Sequence, residues 1–353
     1  MKNPTLYIDR QKLMHNVRSM LKLAEKNNIQ IHFVTKVFCA FKPMVEAMVE
    51  AGATLLADSR LENIAKYEDL GEKHLLLRMP MISEAADVVR ISHMSLNSDL
   101  DTLAALSDAA SALDKRHGVI LMTEMGDLRE GFMPEELSDV AAQVLNLRGL
   151  DLMGIGANFN CYGGIIPDEA KLTELAGLAK AIEDRFNIEL PIVSGGNSGS
   201  VYLMEQGKLP EGINHLRLGE SWILGAETSY GKRVADLYSD VFTLEAEVVE
   251  CRRKPSLPYG LQGPNAFGEY PVYEDRGVIR RAILAIGRQD CPCESLTPKM
   301  TGIDYMGSSS DHMILDVSNS VKEIKSGDMV PFSVDYGSLL ATMTSPYVRK
   351  VMV

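Results

Sequence analysis

The sequence predicts an α/β protein: a (β/α)8 TIM barrel followed by a smaller C-terminal all-β domain that includes the N-terminal strand. Three observations predict it. Eight short apolar runs alternate with helix-patterned stretches within about 190 residues, the repeat a parallel barrel needs. The runs are continuously apolar, as strands buried on both faces are. Beyond about residue 232 the texture changes to strands with little helical pattern among them. A doubly wound open sheet is the rival arrangement, and a count of eight favours closure. A barrel alone takes about 200–250 residues, so a chain of 353 has room for the second domain.

In order along the chain, Thr5–Asp9 reads as an edge strand. Leu13, Val17, Met20 and Ala24 follow at helical spacing. The eight runs are Ile31–Lys36, Thr54–Asp58, His74–Met79, Ile91–Leu96, Gly118–Thr123, Leu152–Asn158, Leu190–Val193 and Asn214–Leu218. Between them, Leu61, Ile64 and Ala65, or Leu172, Leu175, Leu178 and Ile182, carry the helix pattern. Val241–Val249 alternates, Pro255–Gly268 is rich in turn residues, and strands are expected at Gly277–Ile286, His312–Val317, Met329–Val334 and Val348–Met352. The expected domains are 10–232 for the barrel, and 1–9 plus 233–353 for the β domain.

A formal net charge of −12 argues against nucleic acid or an anionic membrane as partner. No apolar run approaches the roughly 18 residues of a membrane span, and Met1-Lys2-Asn3-Pro4 leads straight into a folded-looking segment without a signal peptide pattern. Five scattered cysteines suggest reduced thiols and a cytoplasmic location. Cys291-Pro292-Cys293 has no second ligand pair at zinc spacing, so no metal is expected.

Active sites of such barrels lie at the C-terminal ends of the strands. Those ends carry Lys36; Asp58-Ser59; Arg78; Asn97; Glu124–Arg129; Asn158-Phe159-Asn160-Cys161-Tyr162; Gly195-Gly196-Asn197-Ser198; and Arg217-Leu218-Gly219-Glu220. A lysine there can form a Schiff base with an aldehyde, or can simply be a solvated terminus. The Gly195–Ser200 turn suits a phosphate, because free N–H groups at a helix start and the Ser198 hydroxyl favour a dianion. Phosphate sites in these barrels favour the last two loops, where this turn and Gly219 fall. An aldehyde carrying a phosphate describes pyridoxal 5'-phosphate.

Several motifs, in order, resemble the alanine racemase superfamily of fold-type III pyridoxal phosphate enzymes. They are Asp9–Val17, Val34-Thr35-Lys36, Met125-Gly126-Asp127-Leu128-Arg129, Asn197-Ser198, Arg217-Leu218-Gly219 and Ser310-Asp311-His312. Val34–Cys39, 158–164, Gly287-Arg288-Gln289-Asp290 and Ser308–His312 look like its ornithine racemase branch, which acts on ornithine and in places on lysine. The resemblance implies a racemase interconverting L- and D-enantiomers by two-base α-proton exchange. Lys36 would be the Schiff-base lysine and one proton carrier. Ser198, Gly219 and Asn197 would hold the phosphate, Arg217 would face the pyridine nitrogen, and Arg129 would sit near the ring hydroxyl or the substrate carboxylate. Asn158, Glu220 and Tyr347 complete the implied cofactor set, and Tyr162, Arg288 and Asp311 the substrate set. A homodimer, the β domain of one subunit covering the other's active site, is implied as well. A guanidinium cannot protonate the ring, so Arg217 would make it a weaker electron sink and favour clean proton exchange.

The chain departs from the alanine racemases in three places. Their second base is a tyrosine from the partner subunit in Gly-Tyr-Ala-Asp-Gly, whereas Gly287-Arg288-Gln289-Asp290 has none. Their ring-stacking histidine corresponds to Asn158, and their carbamylated lysine to Met122. A two-base reaction still needs a second carrier. Cys161 is the preferred candidate, with Tyr162 and Asp290 as alternatives; an inert thiol is the bland reading of Cys161. A cationic substrate would want a carboxylate, for which Glu220 and Asp290 are candidates. The rival functions are a basic amino-acid decarboxylase and a non-catalytic pyridoxal phosphate carrier.

Overall fold

The computed structural model of the chain describes residues 4–71 and 73–353. It separates into two units: Arg10–Ser239, and the N-terminal segment ending at Asp9 together with Asp240–Val353. The first unit thus extends seven residues past position 232.

After β1 (Thr5–Ile8), the first unit contains β2 (Gln30–Val34), β3 (Leu55–Asp58), β4 (Lys73–Leu76), β5 (Met94–Asn97), β6 (His117–Thr123), β7 (Leu150–Ala157), β8 (Ile192–Ser194) and β9 (His215–Leu218). They form one closed barrel, each strand parallel to its neighbours, and β9 closes on β2 through His32↔Arg217 and Phe33↔Leu218. Val34, Ala57, Leu75, Met94, Leu96, Ile120, Met122 and Ile192, from six of the strands, pack into one buried cluster. Met122 is fully buried there as an ordinary core side chain. The expected strand Ile91–Leu96 starts too early, because Ile91 ends the helix Ala85–Ile91. An apolar run alone cannot separate a helix end from a strand start.

The barrel core also holds polar groups. His32, His117 and His215 are each no more than 2% exposed. Burial pushes His32 down to about 3 and His117 to about 4, and holds His215 well below the ordinary imidazole value. Unfolding restores the usual affinity for protons near 6.5, so the unfolded state binds more protons below that pH. The stability contribution is therefore complete above pH 6.5 and is lost as pH falls, down to about 4 for His117 and about 3 for His32. Calorimetry from pH 7 to pH 5 is expected to show a falling melting temperature, with a loss of up to about 1.4 kcal/mol per pH unit for each such histidine. A flat profile would contradict it.

The second unit is built on β10 (Phe242–Pro255), whose Phe242, Leu244, Ala246 and Val248 are buried in alternation. It pairs with β11 (Val278–Leu284), which leads on through β14 (Met313–Asp316) to β13 (Asp304–Ser308). It also pairs with β15 (Met329–Ser333), which carries the short β12 (Thr297–Pro298). β1 is not an edge strand: it lies between β10, antiparallel, and β16 (Arg349–Met352), parallel. Both its sides are hydrogen-bonded along its whole length, and Leu6 and Ile8, two residues apart on one face, are fully buried. The unit also contains a helix, Tyr336–Thr344, that the strand-only expectation omits. Asp335 and Ser338 form a capping box at its start, a sequence signal in its own right.

Candidate active site

Parallel closure sets the site. Lys36 lies just beyond β2, Gly219 just beyond β9, and the 195–200 turn just beyond β8, which meets β9 at Ser194↔His215. Motifs roughly 160 residues apart in sequence therefore sit on three adjacent strand ends at the barrel mouth.

Lys36 opens a short 3-10 turn, Lys36–Phe38, and is exposed at the mouth. The residue before it is anchored. Thr35 Oγ1 donates to Asp58 Oδ2 at 2.6 Å, and Thr35 N donates to Ala57 O at 2.8 Å. Asp58 is fully buried, and burial pushes its carboxyl above the usual range while bonds from Thr35, Asn63 and the Arg60 amide oppose this. Cys39 and Ala40 follow with φ of 52° and 49°. Two consecutive left-handed non-glycine residues cost about 1–2 kcal/mol each, which marks this turn as specified by its surroundings.

Arg217 is 4% exposed, and its guanidinium donates to Ser194 Oγ and, at 2.7 Å, to Ala157 O. Burial lowers it to about 10, partly offset by the nearby Glu130 and Cys161 and reinforced by Arg129. It remains a cation at neutral pH. Arg129 is held by an ion pair with Glu130 that pushes its guanidinium up. Glu130 falls one residue beyond the motif that carries Arg129, and Ser194, which the sequence places at the start of the glycine turn without a role of its own, is the last residue of β8.

The loop after β7 brings Asn158, Cys161 and Tyr162 together with Asn197. The Cys161 thiol is exposed, donates to Asn158 Oδ1 at 3.4 Å and accepts from Asn197 Nδ2 at 3.3 Å. Tyr162 is largely exposed. Asp127, buried at the loop's base, accepts from the backbone N–H groups of Cys161 (3.4 Å), Tyr162 (3.1 Å), Gly163 (3.1 Å) and Ile165 (3.4 Å). Asn158 Nδ2 adds a fifth donor at 3.3 Å. A carboxylate is needed because one neutral acceptor could not serve so many donors. Asp127→Ala is expected to loosen this loop by about 1–3 kcal/mol, read as faster amide exchange confined to 161–165. Unchanged exchange there would show that the loop does not depend on Asp127.

The helix Glu220–Leu224 starts after Gly219, and Ser221 N donates to the buried Ser198 Oγ at 3.0 Å. Ser221 Oγ is buried without a hydrogen-bond partner among the described residues. A Cβ on Gly199 would meet Ser229 Oγ at 3.1 Å and Asn197 Oδ1 at 3.2 Å, so a larger residue there would have to shift these side chains. Glu220 is half-buried at the helix start.

In the second unit, Arg288, Asp311 and the 308–310 segment are brought together. Arg288 Nε donates to Ser308 Oγ at 3.3 Å, its Nη1 to Glu269 Oε1 at 3.1 Å, and its guanidinium stacks 4.3 Å from the centre of the Phe267 ring. Asp311 accepts from Gln289 Nε2 at 2.6 Å. Asp290 is buried, its Oδ2 accepting from Gly287 N and its Oδ1 from Ser345 Oγ, both at 3.2 Å. That carboxylate anchors its own turn. Tyr347 is 57% exposed.

Residues 8–225 match the family described as alanine racemase, N-terminal domain. The chain is 45% identical to an ornithine racemase of Acetoanaerobium sticklandii, covering 98% of this chain and 99% of that one. It is 37% identical to a lysine racemase of Thermotoga maritima, covering 99% and 98%. Among solved structures it is similar in fold to an alanine racemase of Bartonella henselae determined with covalently bound pyridoxal phosphate, with a TM-score of 0.76, 16% identity and full coverage of both chains. On the profile match and these near full-length relatives, the chain belongs to the alanine racemase family and is an amino-acid racemase.

Proposed function

We propose that the amino acid racemised is cationic, ornithine or lysine, and that the reaction uses pyridoxal 5'-phosphate at the barrel mouth. One observation carries the cofactor reading: an exposed lysine, a glycine turn and a buried arginine with no carboxylate bonded to it among the described residues occupy three adjacent strand ends. The donor set suits an aldehyde with a phosphate. Lys36 supplies the amine. Ser198 and the unpartnered Ser221 hydroxyl suit the phosphate, with Asn197, Gly199 and Gly219 beside them. Arg217 suits a ring nitrogen that stays unprotonated. Bound there, the cofactor's ring draws electron density from the substrate's Cα–H bond and acidifies that proton.

The protein's own residues do the rest. Lys36 Nζ takes and returns the α-proton on one side of the substrate. Cys161 is the second carrier, favoured over Tyr162 because its thiol is hydrogen-bonded to Asn158 and Asn197, and over Asp290 because both oxygens of Asp290 are engaged. The Arg129–Glu130 pair offers a cation for the substrate carboxylate. Ornithine and lysine are favoured by the names of the two relatives, and Glu220 is the proposed carboxylate for the side-chain ammonium. The chain is proposed to act in the cytoplasm as a homodimer, with Arg288, Asp311 and Tyr347 serving the partner's mouth. No helix among the described residues is long and apolar enough to cross a membrane.

The test is to incubate the protein with single L-amino acids in deuterium oxide and follow enantiomer ratio and α-deuteration. D-ornithine or D-lysine carrying deuterium supports the assignment. Alanine as sole substrate would overturn the cationic class, and release of CO2 would favour a decarboxylase. A Cys161→Ser variant with wild-type rates in both directions would remove Cys161 from the mechanism.

A further inference from the structure

We infer that His215 and His32 are positioning residues: with Ser194 they form a buried, neutral hydrogen-bond relay that holds the Arg217 guanidinium in place without cancelling its charge. The inference rests on the racemase reading for what Arg217 does, and on geometry for how it is held.

The relay crosses the barrel interior. The Arg217 guanidinium donates to Ser194 Oγ; Ser194 Oγ lies 2.8 Å from His215 Nδ1; and His215 Nε2 lies 2.7 Å from His32 Nδ1. All four side chains are at most 4% exposed. His32 in turn lines a cavity of about 560 Å³ at the opposite end of the barrel, walled by strand starts such as Gln30, Leu55 and Lys73.

Proton counting assigns the direction of every bond. Ser194 Oγ already accepts from Arg217, so its single proton needs an acceptor. The remaining polar atom bonded to it among the described residues is His215 Nδ1. His215 Nδ1 is therefore bare and Nε2 carries the proton, which it gives to His32 Nδ1; His32 then carries its own proton on Nε2. This direction leaves one buried group, the His32 Nε2–H, without a partner among the described residues; the opposite direction would leave two, the Ser194 hydroxyl proton and the bare His32 Nε2, the costlier arrangement. Both imidazoles must be neutral for this, and burial together with the Arg217 charge keeps them so.

A buried arginine is ordinarily held by a carboxylate. Here the guanidinium's bonds go to a hydroxyl and a carbonyl, so its positive charge stays available to the mouth. Removing the acceptor at position 215 would free the Ser194 hydroxyl to turn, and Arg217 would lose its aim.

The test uses the holoenzyme. Nitrogen-15 imidazole spectra are expected to show His215 and His32 as Nε2–H tautomers; a protonated His215 Nδ1 would overturn the relay. His215→Leu is expected to lower kcat by about tenfold with little change in KM. His215→Asn, whose Oδ1 can accept from Ser194, should recover most of the loss. Ser194→Ala should match His215→Leu and serves in its place if the leucine variant does not fold. A leucine variant with wild-type kcat, or an asparagine variant as impaired as the leucine one, would overturn the inference. Failure of the wild-type protein to racemise any amino acid would instead remove the function reading, while the tautomers would still report on the relay.

Discussion

Lys36→Ala is expected to lower kcat/KM by about 10⁴-fold or more, because it removes both the anchoring amine and one of the two proton carriers. Lys36 is exposed at the start of its turn, so little packing is lost with it. The melting temperature of the cofactor-free chain should stay near wild type, and the visible absorption of the bound cofactor should disappear. Steady-state racemisation with an absorption spectrum reads all of this together. A variant that keeps the band and a measurable fraction of the rate would mean that another group does this work.

Arg217→Met should separate activity from stability. The guanidinium is buried with neutral partners, and burial has already lowered it to about 10, so the fold keeps a charge it does not need for packing. Replacing a buried charge by an apolar side chain of similar volume removes its desolvation cost, while Ser194 Oγ and Ala157 O each lose a donor, at about 1–3 kcal/mol. Urea denaturation of the cofactor-free variant is expected to show a stability within about 2 kcal/mol of wild type, because the two effects oppose each other. Its kcat/KM should nevertheless fall by about 10²–10³-fold, the usual loss for one preorganised donor at a reacting centre. A less stable but fully active variant would reverse the assignment and make Arg217 a structural residue.

Much of the barrel was legible in advance because its strands are buried on both faces and its helices on one. Those are different apolar periods, and counting them reached eight. Boundaries were less legible: Ile91 is as apolar in a helix end as in a strand start. The second unit hid more. The helix Tyr336–Thr344 is short and announced mainly by its Asp335/Ser338 cap, and Thr5–Ile8 looked like an edge because its two flanking strands come from residues 242–255 and 349–352.

The same division runs through the site. Lys36, the glycine turn and Arg217 stood out because each is a residue type with chemistry at the end of an apolar run. Asp127 and Ser194 fell within noted segments without a role of their own, and Glu130 and His215 did not stand out, because a carboxylate gathering loop amides, or a histidine passing a hydrogen bond through the core, leaves no periodic trace. Local order along the chain sets which residues end each strand, since pattern and propensity act over a few residues. Which ends become neighbours is decided by closure of β9 onto β2, a long-range pairing that no local interaction encodes; it brings Lys36 and Arg217 to one mouth and lines up Ser194, His215 and His32 beneath it.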